Sequence, residues 1–297
     1  MSLVSIRDIK NLLKRHEVHL LKRLGQIFLI DEGVIKKIIE SAQLSKNDII
    51  LEIGPGIGVL TMELAKKAKK VIAIEKDPKM IEILKELLEC WNVRNVEIVK
   101  GDILKLDPKP YTLKPYKVVA NLPFYLTVPV IRQFLEAVET KPQQMVLVVQ
   151  KEVGQRICAR PPDMSILAVS VQFYVYPVKS REAGAAKPQF NGAGPEIITF
   201  VSKKSFWPQP KVDGAIIKII SKKLSTRPGD VDLFFKIVKA GFSHPRKQLS
   251  NNLSRGLKLE RNEAESWLLK NNIRPSQRAE TLSVEDWINL LQSCRIN

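Results

Sequence analysis

Cysteine is scarce in this chain. Its 297 residues include three, Cys90, Cys158 and Cys294, which are far apart and form no C-x-x-C pair. Neither a disulfide framework nor a structural metal site is expected. Long apolar runs are missing too: no stretch approaches the ~18 uninterrupted apolar residues of a membrane span, and no signal-peptide-like segment opens the chain. The expectation is a cytoplasmic protein with no membrane partner. Acidic residues are few beside basic ones, 31 Asp+Glu against 48 Lys+Arg, a formal charge of +17. Such an excess points to a polyanionic partner, nucleic acid first, because neutralising phosphates releases counterions. Membrane-surface and merely soluble basic proteins share that balance. What is present, 44% hydrophobic and 27% charged residues, suits a globular chain of roughly two domains at about 150 residues each.

Hydrophobic periodicity predicts a basic helix over Ser5 to Leu21 with Ser5 as N-cap, a loop around Gly25, and a helix over Val34 to Ala42. Strands at 49–53, 71–75, 96–99, 117–120 and 145–150 then alternate with helices at 58–69, 78–90 and 128–138. That alternation means an α/β fold with a mostly parallel sheet. Ile166 to Tyr176 and Ala215 to Ile220 are expected to add an antiparallel pair of strands at the sheet edge. Past Lys222 only helical periodicity remains, so residues 1–224 are read as one domain and 225–297 as a small helical one. Residues 178–195, rich in Gly and Ala and without periodicity, read as a long inserted loop.

Leu51-Glu52-Ile53-Gly54-Pro55-Gly56-Ile57-Gly58 runs a strand into a glycine-rich turn and a helix, which lets the backbone approach a ligand at the carboxyl end of the first strand. The spacing is G-x-G-x-G, not the dinucleotide G-x-G-x-x-G. Glu75 closes the second strand, where a carboxylate can accept both ribose hydroxyls. Asp102 follows the third and can accept from an adenine amine. Together these elements resemble the class I S-adenosyl-L-methionine-dependent methyltransferases. Asn121-Leu122-Pro123-Phe124 follows the next strand, where methyltransferases of exocyclic amines carry an (Asn/Asp)-Pro-Pro-aromatic sequence. An adenine N6 lone pair is delocalised into the ring, so the amine is a poor nucleophile until acceptors hold its hydrogens out of plane. The Asn121 oxygen and the Leu122 carbonyl suit that task. Pro123 stiffens the turn, and Phe124 offers a ring face worth ~1 to 3 kcal/mol in base stacking.

Gly25-Gln26-Ile27-Phe28-Leu29, Glu52 to Gly56, Asn121 to Phe124, Phe206-Trp207-Pro208-Gln209-Pro210-Lys211-Val212-Asp213 and Arg278-Ala279-Glu280 stand in order along nearly the whole chain. They resemble the bacterial small-subunit ribosomal RNA adenine dimethyltransferases. The resemblance implies a seven-stranded Rossmann-like sheet with a helical C-terminal domain, S-adenosylmethionine as cofactor, and N6,N6-dimethylation of two adjacent adenines near the 3′ end of 16S rRNA in a pre-30S particle. It places Ile27, Leu29, Gly54, Gly56, Glu75, Asp102 and Asn121 at the cofactor, and Phe124 and Phe206 on either side of the extruded base. Ile27 departs from the Asn or His usual there, leaving backbone or apolar contact. RNA is expected on Lys10, Lys14, Lys22, Arg23, Arg246, Lys247 and Arg255, with the protein a monomer. A 23S rRNA adenine methyltransferase of the erythromycin-resistance type and an assembly factor of weak catalysis are the competing readings.

Overall fold

The computed structural model describes residues 2–20, 25–111, 115–175, 194–221 and 228–294. The elements in chain order are α1 (Ile6–Arg15), β1 (Phe28–Leu29), α2 (Glu32–Ala42), β2 (Ile49–Ile53), α3 (Val59–Lys67), β3 (Lys70–Glu75), α4 (Pro78–Cys90), β4 (Val96–Lys100), β5 (Lys117–Asn121), α5 (Thr127–Arg132), β6 (Gln144–Gln150), α6 (Lys151–Ile157), α7 (Ile166–Val175), β7 (Glu196–Val201), β8 (Phe206–Trp207), β9 (Gly214–Ile220), α8 (Pro228–Gly241), α9 (Leu249–Leu257), α10 (Arg261–Lys270) and α11 (Val284–Ser293). They form two compact units, Met1–Gly154 with Glu196–Ser221, and Gln155–Pro195 with Lys222–Asn297.

The first unit is built on a seven-stranded sheet of order β4-β3-β2-β5-β6-β9-β7. The pairs from β4 through β6 are parallel, and β9 runs antiparallel between β6 and β7. Nearly every residue of β2, β3, β6 and β9 is buried, as strands shielded on both faces require. The chain starts at central β2, works outward to β4, then returns to β5. That reversal between β2 and β5 opens a crevice at the strands' carboxyl ends, where ligands of open α/β sheets bind. A second, two-stranded ribbon pairs β1 with β8, Phe28 opposite Trp207 and Leu29 opposite Phe206. The Ser205 hydroxyl donates to Asp31, the N-cap of α2, at 2.7 Å. Two sequence blocks, 174 residues apart at Asp31 and Ser205, thus become one structural piece.

Four expectations are corrected. Ile166–Val175 is a helix, α7, not a strand: apolar but for Ser170 and Gln172, it offers no clear helical period, and Ser165 caps it through the Ala168 N–H at 3.2 Å. Phe173 of α7 stacks on Phe234 of α8 at 4.0 Å, so the second unit takes in chain from 155 as well as the C-terminal helices, unlike the single division at 224. The strand beside β9 is β7 instead, over residues 196–201, which follow the expected loop and belong to no expected element. Helix α1 keeps its Ser5 cap but ends at Arg15, because Glu17 turns left-handed at φ 52° and the Val18 N–H closes back on the Leu13 carbonyl. Residues 176–193, most of the anticipated insertion, lie outside the described residues.

Candidate active site

The ends of β2, β3, β4 and β5 build the crevice. At the first, Gly54, Gly56 and Gly58 all have positive φ, 67°, 56° and 88°, which glycine adopts without steric penalty. A Cβ on Gly58 would stand 2.5 Å from Leu84 Cδ1, so a side chain is excluded there twice over. Pro123 faces this loop, 3.7 Å from where a Cβ on Gly54 would sit.

At the second, Glu75 is buried and its carboxylate accepts three backbone N–H groups: Lys76 at 2.7 Å, Asp77 at 2.9 Å and Gly56 at 3.1 Å. The acid that ends β3 thereby ties the glycine loop to the first turn of α4, which Asp77 caps through the Lys79 N–H. Burial raises the Glu75 pKa, and the three amides oppose it. Glu52, on neighbouring β2, is only 1% exposed. Burial foremost, with the charge of Glu75 adding and Thr61 opposing, lifts its pKa to about 8, so at neutral pH it is chiefly a neutral acid. Its Oε2 has no hydrogen-bond partner among the described residues. Asp102 beyond β4 receives the Lys76 ammonium at 2.8 Å and the Leu104 N–H at 3.1 Å; the Lys76 bond leads in holding its pKa below the usual carboxylate range.

At the end of β5, the Asn121 amide nitrogen donates to the Ile27 carbonyl at 3.2 Å. Position 27 therefore contributes its backbone, and the missing Asn or His side chain does not break that link. The donation also fixes which end of the amide is which, leaving Asn121 Oδ1 buried with no partner among the described residues. Leu122 is fully buried, its N–H donating to the Val148 carbonyl at 3.3 Å.

One cavity is lined by Gly25 to Leu29, Glu52 to Gly56, Glu75, Lys76, Asp102, Ile103, Asn121, Pro123, Tyr125 and Leu126. It gathers Ile27, Leu29, Gly54, Gly56, Glu75, Asp102 and Asn121. Phe124 is half-buried and outside this lining. Phe206 is corrected: at 2% exposure it lies in the core under the β1–β8 ribbon, so its ring has no open face for a base. The aromatic that does line the cavity is Tyr125, 53% exposed, which the sequence reading passed over; its ring lies 3.7 Å from where a Cβ on Gly25 would stand. Glu52, the buried acid just ahead of the glycine loop, is the other addition. Both sit next to residues already singled out, and that adjacency was the available signal.

Exposed Lys10 and Lys14 lie on α1 of the first unit; Arg246, Lys247 and Arg255, also exposed, lie at the α8–α9 turn and on α9 of the second. Lys22 and Arg23 lie outside the described residues. Among the described residues no helix is long and apolar enough to cross a membrane.

The strand order, the glycine loop and the acids closing β3 and β4 define a class I S-adenosylmethionine-dependent methyltransferase. The residues present fit that cofactor: a left-handed glycine cradle, a carboxylate anchored at the end of β3, and two buried oxygens, Glu52 Oε2 and Asn121 Oδ1, without partners among the described residues. The description "Ribosomal RNA adenine dimethylase" matches residues 18–295, and this chain belongs to that family. It is 41% identical over 285 residues to the ribosomal RNA small subunit methyltransferase A of Dehalococcoides mccartyi, covering 95% of this chain and 90% of that one. It is 37% identical over 286 residues to the protein of the same name from Clostridioides difficile, covering 94% and 92%. Among solved structures it is similar to the 23S rRNA methyltransferase ErmE (TM-score 0.70, 26% identity, 90% of this chain and 98% of that). It is likewise similar to a dimethyladenosine transferase from Plasmodium falciparum (TM-score 0.69, 26% identity, 88% and 95%).

Proposed function

We propose that this enzyme transfers methyl groups from S-adenosylmethionine to N6 of two adjacent adenines in the 3′-terminal hairpin of 16S rRNA, acting as a monomer on a pre-30S particle. The observation that carries the reading is the Asn121 side chain, whose nitrogen is committed to Ile27 while its buried oxygen is left to accept. When bound, the cofactor supplies an electrophilic methyl on a sulfonium.

The chain's own residues do the rest. Glu75, immobilised by three amides, takes the ribose hydroxyls, and Asp102 takes the adenine amine. Gly54 and Gly56 let the backbone close on the ligand. Asn121 Oδ1, with the Leu122 carbonyl, draws the target amine's hydrogens out of the ring plane and aims its lone pair, which is catalysis by positioning and directed polar groups. No strong base is required. The target adenine has to leave its stack to reach this crevice, and Phe124 beside Pro123 is its stacking partner. Lys10 and Lys14 on one unit, and Arg246, Lys247 and Arg255 on the other, meet phosphates.

The structural likeness to ErmE favours a second reading, a 23S rRNA target. The higher identity to the small-subunit enzymes supports the first. Labelled S-adenosylmethionine incubated with unmethylated 30S particles, 50S particles or free rRNA separates them. Two adjacent dimethyladenines in 16S rRNA are expected; label mapped to 23S rRNA overturns the proposal, as does tight 30S binding without label.

A further inference from the structure

The outer strand of the sheet exposes more apolar surface than an edge strand ordinarily tolerates. Ile198 and Phe200 of β7 are 36% and 51% exposed, a liability unless something occupies or guards them. The Lys151 ammonium, at the start of α6, stands 5.1 Å over the Phe200 ring centroid. Register places this pair at the functional rim. Asn121 is opposite Val148, Val148 opposite Ile216, and Ile216 opposite Thr199, the neighbour of Phe200. Three strand spacings separate Thr199 from Asn121, roughly 14 Å along the sheet's carboxyl edge. Lys203 and Lys204 follow β7 after Ser202, and Lys211 lies in the turn ahead of β9. Among the described residues none of these four lysines is in an ion pair.

We propose that Phe200 and Lys151 form an accessory shelf for single-stranded RNA, Phe200 stacking a base that flanks the target and Lys151, Lys203 and Lys204 meeting the adjoining phosphates. An exposed ring under a cation that is in no ion pair among the described residues, with further lysines close by in sequence, is the combination that holds unpaired nucleotides, since every base has a stacking face and every linkage a charge. The level of the ring with Asn121 sets the distance, a few nucleotides from the reacting base, with the chain passing over the ends of β6 and β9. The shelf rests on the methyltransferase reading for its purpose, but its affinity for RNA is measurable without methyl transfer.

The test is binding of a fluorescein-labelled single-stranded oligoadenylate and of unmethylated 30S particles by wild type, Phe200→Ala, Phe200→Trp and Lys151→Met, with cofactor affinity as the control. Phe200→Ala is expected to weaken oligoadenylate binding and raise KM for particles roughly tenfold, leaving kcat and cofactor Kd unchanged. Phe200→Trp should restore both, and Lys151→Met should flatten the salt dependence by about one contact's slope, ~0.7 in log–log units. Unchanged RNA binding by Phe200→Ala overturns the shelf. So does a loss confined to particles, which would identify a protein contact instead. A wild type that binds oligoadenylate through Phe200 yet methylates nothing sinks the proposed function and not the shelf.

Discussion

Glu52 makes the buried chemistry of the site measurable. The side chain is 1% exposed on β2, with its pKa carried from an ordinary 4.5 to about 8 by burial and by the nearby Glu75. Between those values the folded protein holds a proton that the unfolded chain has released. Stability therefore falls as pH rises through that window, is unpenalised below about 4.5, and levels off above about 8. At ~1.36 kcal/mol for each pH unit, the full span amounts to about 5 kcal/mol, an upper figure because surrounding groups relax. Glu52→Gln has nothing to ionise, so its stability lacks this slope; the amide adds only a constant offset. Thermal unfolding of both proteins from pH 5 to pH 9 is the assay. For a unit of this size, where 1 kcal/mol shifts the midpoint by ~2 to 4 °C, the gap should open in favour of the variant by roughly 10 °C across the range. Parallel melting curves at every pH would show that Glu52 titrates normally and that the crevice is wetter than its packing indicates.

A positively charged ligand in the same crevice favours the carboxylate form, so cofactor binding at pH 7 should release protons in wild type and fewer in Glu52→Gln, read by calorimetry in buffers of different ionisation enthalpy. Asn121→Ala should lower kcat by about 10² to 10³-fold and, by freeing the Ile27 carbonyl, weaken cofactor binding several-fold; Asn121→Asp keeps an acceptor and should recover part of kcat but not the affinity. Phe206→Ala should cost about 3 to 5 kcal/mol as a core truncation, whereas Phe206→Leu should stay near wild type in stability and KM; a stable Phe206→Leu with a large loss in RNA KM would return the ring to the target base. Gly58→Ala should destabilise by about 1 to 3 kcal/mol, from the left-handed backbone and the Leu84 contact together, as read by denaturant unfolding.

Much of this protein was legible along the chain because the relevant signals are local. A strand running into Gly54-Pro55-Gly56, an acid closing the next strand at Glu75, and Asn121 ending a third each carry their meaning within a few residues, and the period of the hydrophobic pattern sets the α/β alternation around them. The order of those motifs sufficed to assemble a nucleoside crevice, since strand ends in such a sheet point to one edge. What lies across long separations was not legible. The pairing of Leu29 with Phe206 buries a ring that the family resemblance offers as a stacking surface, and only that pairing decides it. Ile166–Val175, apolar but for Ser170 and Gln172, has no helical period to choose helix over strand, so its packing against Phe234 makes the choice. Glu52 and Tyr125 stand beside motif residues, but that adjacency does not say that the one keeps its proton or that the other is the exposed aromatic of the crevice. Local geometry follows from neighbouring residues, but solvent exposure belongs to the whole fold, and exposure sets both the charge of a carboxylate and the availability of a ring.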